Sequence, residues 1–371
     1  MQEAYWHYNK IKPEELAADE SVFDFDRGLT QQQNDVLKPV ETISASSIET
    51  ACKAFRKSAL GIDITTPLRA DVKDVVVYEH AHFPGLQIAP GVLPPETQTL
   101  FVSQIMHKYL ANPKHKINLE ADYDIDFPPS SASQIKTETS NGTSTANPKD
   151  PALQPLSSFF TLGTQEDILR PKDPTKSGAK TLNTSQLFSK LRWLTIGEQY
   201  HWPTRSYPLD TPTTFPSDLN QLVTGLFPHI KPESGVCLIY SAKDYMPVHR
   251  DVSEQCQTGL ASFSFGCDGV FVVAKGEHEA VDEEDRRNRI VVIRVRSGDC
   301  VHMTGETRWA WHAMARTIPG TCPKWLADWP MIQQGDDEAG RWTDAEKKAF
   351  VKWKGYMGRK RLNVSCRQVW N

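Results

Sequence analysis

The sequence predicts a mainly β fold with flanking helices, of the α+β type, built as an antiparallel sandwich or jelly roll. Three observations carry that expectation. Short β-branched or aromatic runs crowd the second half of the chain, Gly, Asp and Lys turns separate them, and no regular helical pattern intervenes. The runs are 236–240, 261–265, 270–273, 290–295, 300–303 and 362–366. Helical periodicity is confined to a few places. Residues 47–56 follow a Ser cap, residues 95–109 carry Phe101, Ile105 and Tyr109 at i, i+4 and i+8, and residues 344–350 form a charged segment.

These elements suggest a division of the chain. Residues 1–83 read as a partly helical N-terminal extension that packs on the rest, and residues 84–371 as the folded core, opening with an apolar strand at 84–90. Within the core, residues 112–183 shift to Ser, Thr, Pro, Lys and Asp and read as a largely disordered insertion, least apolar from Ser130 to Asp150. Residues 185–210 read as a lid over the sandwich, and 323–360 as an excursion rich in Trp and charge.

A chain of 371 residues can form one large core with elaborations or two domains, and 39% hydrophobic with 24% charged residues fits a globular protein. A net charge of −4 creates no global field for nucleic acid, so any such binding must use a local patch. Seven cysteines without a C-x-x-C pair argue against a disulfide scaffold or zinc module and for a reducing compartment. No run approaches 18 apolar residues, so no membrane span is expected. The N-terminus resembles neither a secretory signal nor a transit peptide. Nucleus or cytoplasm is the expected compartment, with the mitochondrion left open, and a monomer is the expected state.

The chemistry centres on His249-Arg250-Asp251, with His312 downstream. Residues i and i+2 of a strand share a face, so His249 and Asp251 can present two ligands together and His312 a third from another strand. Two histidines and a carboxylate make the facial triad of non-haem Fe(II) oxygenases, which leaves positions open for co-substrate and O2. Arg361 and Arg367 share parity with Asn363 and Ser365, while Leu362, Val364 and Cys366 face the other way. Such a polar face inside a barrel suits the two carboxylates of 2-oxoglutarate. His302 is the second choice for the third ligand, and His278 sits in a Glu-rich stretch that reads as a solvated loop. His-Arg-Asp also opens the protein-kinase catalytic loop, but Cys256 stands where that motif needs Asn, and no Asp-Phe-Gly follows.

Five segments together resemble AlkB-type Fe(II)/2-oxoglutarate dioxygenases, nearest the branch of the first eukaryotic AlkB homologue. They are residues 190–197, 215–219, 249–254, 261–266 and 361–369, and the likeness extends over roughly residues 84–370. The resemblance implies a double-stranded β-helix core that uses Fe(II), with 2-oxoglutarate and O2 as co-substrates, to remove alkyl groups oxidatively from nucleic-acid bases. It makes His249, Asp251 and His312 the iron ligands. Tyr240, Arg361 and Asn363 would surround the distal carboxylate of 2-oxoglutarate, and Arg367 its keto-acid end. One departure matters: many relatives carry Asn where this chain has Leu238. A lost hydrogen bond to a charged group costs roughly 1.5–3 kcal/mol, so co-substrate affinity should be weakened but not abolished.

A base must leave its stack to be modified, and Trp193, Tyr200 and Trp202, interleaved with Arg192 and Arg205, could receive it. Ser253, two residues beyond Asp251, joins them as a candidate substrate contact. The basic run Lys352, Lys354, Arg359, Lys360 and Arg361 could form a phosphate-contacting edge. The expected partner is tRNA or DNA bearing a methylated adenine or cytosine. The rivals are a protein (histone) demethylase on the same core and a weakly catalytic nucleic-acid-binding module, the latter kept in play by Leu238.

Overall fold

The computed structural model describes residues 1–61, 68, 70–128, 158–201, 204–208, 214–242, 244–276, 288–331 and 342–370. The stretch Ser130 to Asp150, His278 and Trp202 therefore lie outside the described residues. In chain order the structure begins with α1 (Gln2–Lys10), α2 (Pro13–Ala18), β1 (Val22–Phe23), α3 (Gln31–Val36), β2 (Leu37–Ile43) and α4 (Ala45–Leu60). Next come β3 (Val75–His80), β4 (Phe83–Ala89), α5 (Pro95–Ser103), β5 (Tyr123–Ile125), β6 (Asp167–Pro171), β7 (Leu182–Asn183) and α6 (Thr184–Lys190). The strand-rich part follows as β8 (Trp193–Gly197), α7 (Ser217–Leu226), β9 (Ser234–Ser241), β10 (Met246–His249), β11 (Leu260–Gly266) and β12 (Gly269–Ala274). The chain closes with β13 (Ile290–Val295), β14 (Cys300–Met303), β15 (Trp311–Thr317), α8 (Lys324–Ala327), α9 (Asp344–Phe350) and β16 (Lys360–Arg367).

The strands form an eight-stranded sheet ordered β2-β3-β4-β14-β11-β16-β9-β8 and a five-stranded sheet ordered β1-β13-β12-β15-β10. Pairing is antiparallel except where β1 joins β13. Apolar side chains of both sheets, among them Leu86, Ile88, Val273, Ile293, Val301 and Met314, meet in one buried cluster between them. The outer face of the larger sheet is covered by α4, α5 and α7. Helix α4 buries Ile48, Ala51, Cys52, Phe55 and Ala59, the i, i+3, i+4 spacing of one stripe, and starts on the Ser44 cap. The outer face of the smaller sheet is covered by α1 and α2 through Tyr5, Tyr8, Ile11 and Leu16. Among the described residues no helix is long and apolar enough to cross a membrane.

Three sequence boundaries shift. A core starting at residue 84 would cut the larger sheet, because β2 and β3 precede it and pair with each other and with β4. The polar insertion at 112–183 contains ordered structure on both sides of residues 129–157: β5, β6 and β7 form a small sheet, and Phe159 and Phe160 are fully buried. His107 explains part of that order. Its ring is enclosed by Phe160, Trp329, Trp342 and Phe350, with centroids 4.7–5.5 Å away. The insertion is thereby tied to the Trp-rich excursion. Finally, the expected lid at 185–210 begins as α6 and β8, an edge strand of the larger sheet.

Candidate active site

Between the two sheets lies a cavity of about 670 Å³, within the range of small-molecule sites. The smaller sheet supplies Met246, His249, Phe271, His312 and Met314, and the larger supplies Leu238, Tyr240, Ser262, Ser264, Arg361, Asn363, Ser365 and Arg367. Strand β16 gives the clearest account of why the wall is polar. Its odd-numbered residues from Arg361 to Arg367 face the cavity, whereas Leu362, Val364 and Cys366 are fully buried in the core on the other side. The parity expected from the sequence holds.

His249, at the end of β10, pairs directly with His312 on β15. Asp251 is not on the strand but in the irregular segment just beyond it. One ligand atom from each of the three residues lies within 4.8 Å of the others, close enough to share a metal ion. Backbone carbonyls set both tautomers. His249 Nδ1 donates to Pro247 O at 2.8 Å and His312 Nδ1 to Ala310 O at 3.1 Å, leaving each Nε2 lone pair free for a metal. Burial, reinforced by His249, pushes His312 down to about 4, so it is neutral and ready to ligate at neutral pH. Burial alone would raise Asp251, but Arg367, His312 and His249 override it and hold the carboxyl well below the usual carboxylate range.

Behind the triad stands an ion network that the sequence did not reveal. Arg308, fully buried, donates to Glu254 Oε2 at 2.8 Å and to the Asp251 carbonyl at 3.0 Å. Arg367 bridges Glu254 Oε1 at 2.9 Å and Asp251 Oδ2 at 3.0 Å, and the Tyr207 hydroxyl donates to Glu254 at 3.3 Å. Glu254 therefore sits between two arginines and fixes the guanidinium that holds Asp251. The only sequence hints are that Glu254 follows Asp251 by three residues and Arg308 precedes His312 by four.

The co-substrate pocket fits a dicarboxylate. Arg361 is fully buried, bonded to Ser264 Oγ at 2.8 Å and Cys267 O at 3.3 Å, while its Nε and the Nε of Arg367 are buried without a partner. Buried guanidinium N–H groups call for an anion. Gly269 keeps the space open, because a Cβ there would stand 2.7 Å from Arg361 Nε. Burial pushes the Tyr240 hydroxyl up against the opposing pull of Arg361, so it stays a donor. Asn363 donates to Ser262 Oγ at 2.8 Å. Leu238 pairs with Asn363 across β9 and β16 and also lines the cavity, so the position expected to hold an amide presents a hydrocarbon wall.

Of the candidate substrate contacts, Tyr200 and Ser253 line the cavity, and the Ser253 hydroxyl donates to that of Tyr200 at 3.3 Å. Arg205 lines it too. Trp193 is absent from the wall: it belongs to β8, half-buried opposite Leu238, one strand beyond the cavity. The basic run does not make a continuous edge either. Lys360 and Arg361 are buried, with Lys360 Nζ bonded to Ser241 Oγ at 2.8 Å, leaving Lys352, Lys354 and Arg359 exposed. His302 points away from the cavity, its neighbours Val301 and Met303 forming the wall instead, so it cannot be the third ligand of this centre.

Residues 158–367 match the 2OG-Fe(II) oxygenase superfamily. The chain is 31% identical to the "N6-methyladenosine RNA demethylase ALKB1" of Pyricularia oryzae, over 99% of this chain and 94% of that protein. It is 29% identical to the "tRNA demethylase abh1" of Schizosaccharomyces pombe, over 79% and 82% respectively. Against the human "Nucleic acid dioxygenase ALKBH1" it is 28% identical over 55% of this chain and 51% of the other. With a His-Asp-His triad, a buried arginine pair and these likenesses, the chain belongs to the 2OG-Fe(II) oxygenase superfamily, within its AlkB branch, and uses Fe(II), 2-oxoglutarate and O2.

Proposed function

We propose that this protein is an oxidative demethylase of methylated bases in RNA, N6-methyladenine first among them, working as a monomer on a double-stranded β-helix. The observation that carries it is one cavity that holds both the triad and the buried arginines and is lined as well by Tyr200, Arg205 and Ser253. The names of the relatives matched over most of their length support RNA as substrate. His249, Asp251 and His312 would hold the iron. Arg361, with Tyr240 and Asn363, would bind the distal carboxylate of 2-oxoglutarate, and Arg367 would steady its keto-acid end while fixing Asp251. When bound, iron with 2-oxoglutarate and O2 would supply the oxidising chemistry for hydroxylating a C–H bond, with 2-oxoglutarate oxidatively decarboxylated to succinate and CO2. A hydroxylated N-methyl group then releases formaldehyde and leaves the unmodified base.

The chain's own residues have three tasks. The arginines position the co-substrate, Leu238 and the apolar wall of Met246, Phe271 and Met314 exclude water, and Tyr200 offers an aromatic face to an extruded base. The deciding experiment measures succinate and formaldehyde with an N6-methyladenosine RNA, the matching DNA and a methylated histone peptide. RNA should stimulate both products most. Stimulation by the peptide alone would replace this reading with a protein demethylase. No stimulation by any of them would leave a weakly catalytic binding module.

A further inference from the structure

The histidine that fails to reach the triad has a partner of its own. His302 is buried on the outer side of β14, and its Nε2 lies 3.1 Å from the Nε2 of His229, an exposed residue in the turn between α7 and β9. The other ring nitrogen is held firmly. His302 Nδ1 meets Gln87 Oε1 at 2.8 Å on the neighbouring strand, and Gln87 Nε2 donates to Glu79 Oε2 at 3.0 Å. A carboxylate only accepts, so the amide must turn its nitrogen to Glu79 and its oxygen to the ring. Nδ1 therefore carries the hydrogen, and Nε2 presents a bare lone pair to His229. Burial, with His229 adding to it, pushes His302 down to about 4, which keeps that lone pair free at neutral pH. Gly259 leaves room beside it, since a Cβ there would fall 2.4 Å from His302 Nε2.

Two imidazole nitrogens at this distance can share either a proton or a cation, and the two arrangements tilt the rings differently. With about 1.2 Å from ring centre to nitrogen, a collinear N–H···N bond of this length would set the centroids about 5.5 Å apart. Two rings converging on one ion at about 2.0–2.1 Å from each nitrogen would set them about 4.9 Å apart. The centroids are 4.8 Å apart. The rings are therefore bent off the line joining the two nitrogens, as a shared ion requires and a linear hydrogen bond does not. We propose that His229 and His302 form a second metal site, on the outer face of the larger sheet, for a borderline divalent cation of the Zn2+ type. Imidazole suits this class of ion, solvent can complete the coordination on the exposed His229 side, and Gln87 with Glu79 supplies the outer shell that orients a ligating histidine. A bound ion would staple the α7–β9 turn to β14, the strand whose opposite face walls the catalytic cavity. The two centres share no ligand.

Zinc binding to the metal-free, full-length chain tests this, measured by equilibrium dialysis beside the thermal unfolding midpoint. The background is His249→Ala/His312→Ala, which removes both imidazoles of the triad. That variant should bind one Zn2+ and unfold at a higher temperature with the ion than without it. Adding His229→Ala, an exposed substitution, should abolish both effects, and His229→Ala alone should lower the wild-type stoichiometry by one. Zinc retained in the triple variant, or none bound by the double variant while it remains folded, would overturn the proposal. The triad and its reaction would be untouched by that result.

Discussion

Strands β14 and β16 lie on either side of β11 in one sheet, yet they use their two faces oppositely. β16 turns Arg361, Asn363, Ser365 and Arg367 into the cavity and Leu362, Val364 and Cys366 into the core. β14 turns Val301 and Met303 into the cavity and sends His302 outward. A strand alternates its side chains with period two, so one residue of parity decides which chemistry a side chain can join. His302 is the second choice to His312 in a one-dimensional reading, and only His312 is paired across the sheet with His249.

The largest effect should come from breaking this distinction at its centre. His312→Ala or Asp251→Ala should reduce 2-oxoglutarate turnover to background with the fold intact, whereas His302→Ala should retain most turnover, as followed by succinate release. Next comes the network behind the triad. Arg308→Met leaves Glu254 buried with one cation fewer, and breaking such a pair costs about 3–5 kcal/mol, readable as a lower urea midpoint. On the polar face of β16, Arg361→Lys loses the guanidinium fork. The KM for 2-oxoglutarate should rise about 10- to 150-fold, for a loss of roughly 1.5–3 kcal/mol, with Fe(II) affinity nearly unchanged.

How much of this was legible in the sequence depends on what kind of signal each part leaves. The triad and the arginine face were legible because ligand spacing and strand parity are local, and β9, β11–β14 and β16 announced themselves as dense apolar runs. Strand β2 was not, since Leu37–Ile43 contains Pro39 and is exposed at its five central positions, as an edge strand can be. Trp193 was misplaced in a lid because aromatics interleaved with arginine look the same on a strand at a sheet edge as on a stacking loop. Glu254 and Arg308 were invisible because a buried ion pair joining two irregular segments of the sequence has no periodicity. Leu238 was legible as a departure, and the structure adds its orientation toward the cavity.

Two smaller effects sharpen the comparison. Leu238→Asn restores an amide opposite Asn363 and should lower the KM for 2-oxoglutarate by about tenfold, the lower end expected of a hydrogen bond to a charged group, in a steady-state titration. His80 tests burial without chemistry. Its ring lies 5.4 Å from each of Phe23 and Phe83, and burial, with His82 and Lys275 adding to it, pushes it down to about 4. The unfolded chain then binds the proton more readily than the folded one between its ordinary value and about 4, so stability is lost as pH falls through that window. Between about pH 7 and about pH 5 the wild type should lose about 1–2 kcal/mol more than His80→Leu in urea unfolding.

The most direct test of the central claim, that parity assigns His312 and not His302 to the iron centre, is the visible absorption of the Fe(II)–2-oxoglutarate complex under anaerobic conditions, which needs no nucleic acid. The band should form in the wild type and in His302→Ala and be lost in His312→Ala. A band that survives in His312→Ala and disappears in His302→Ala would contradict the account.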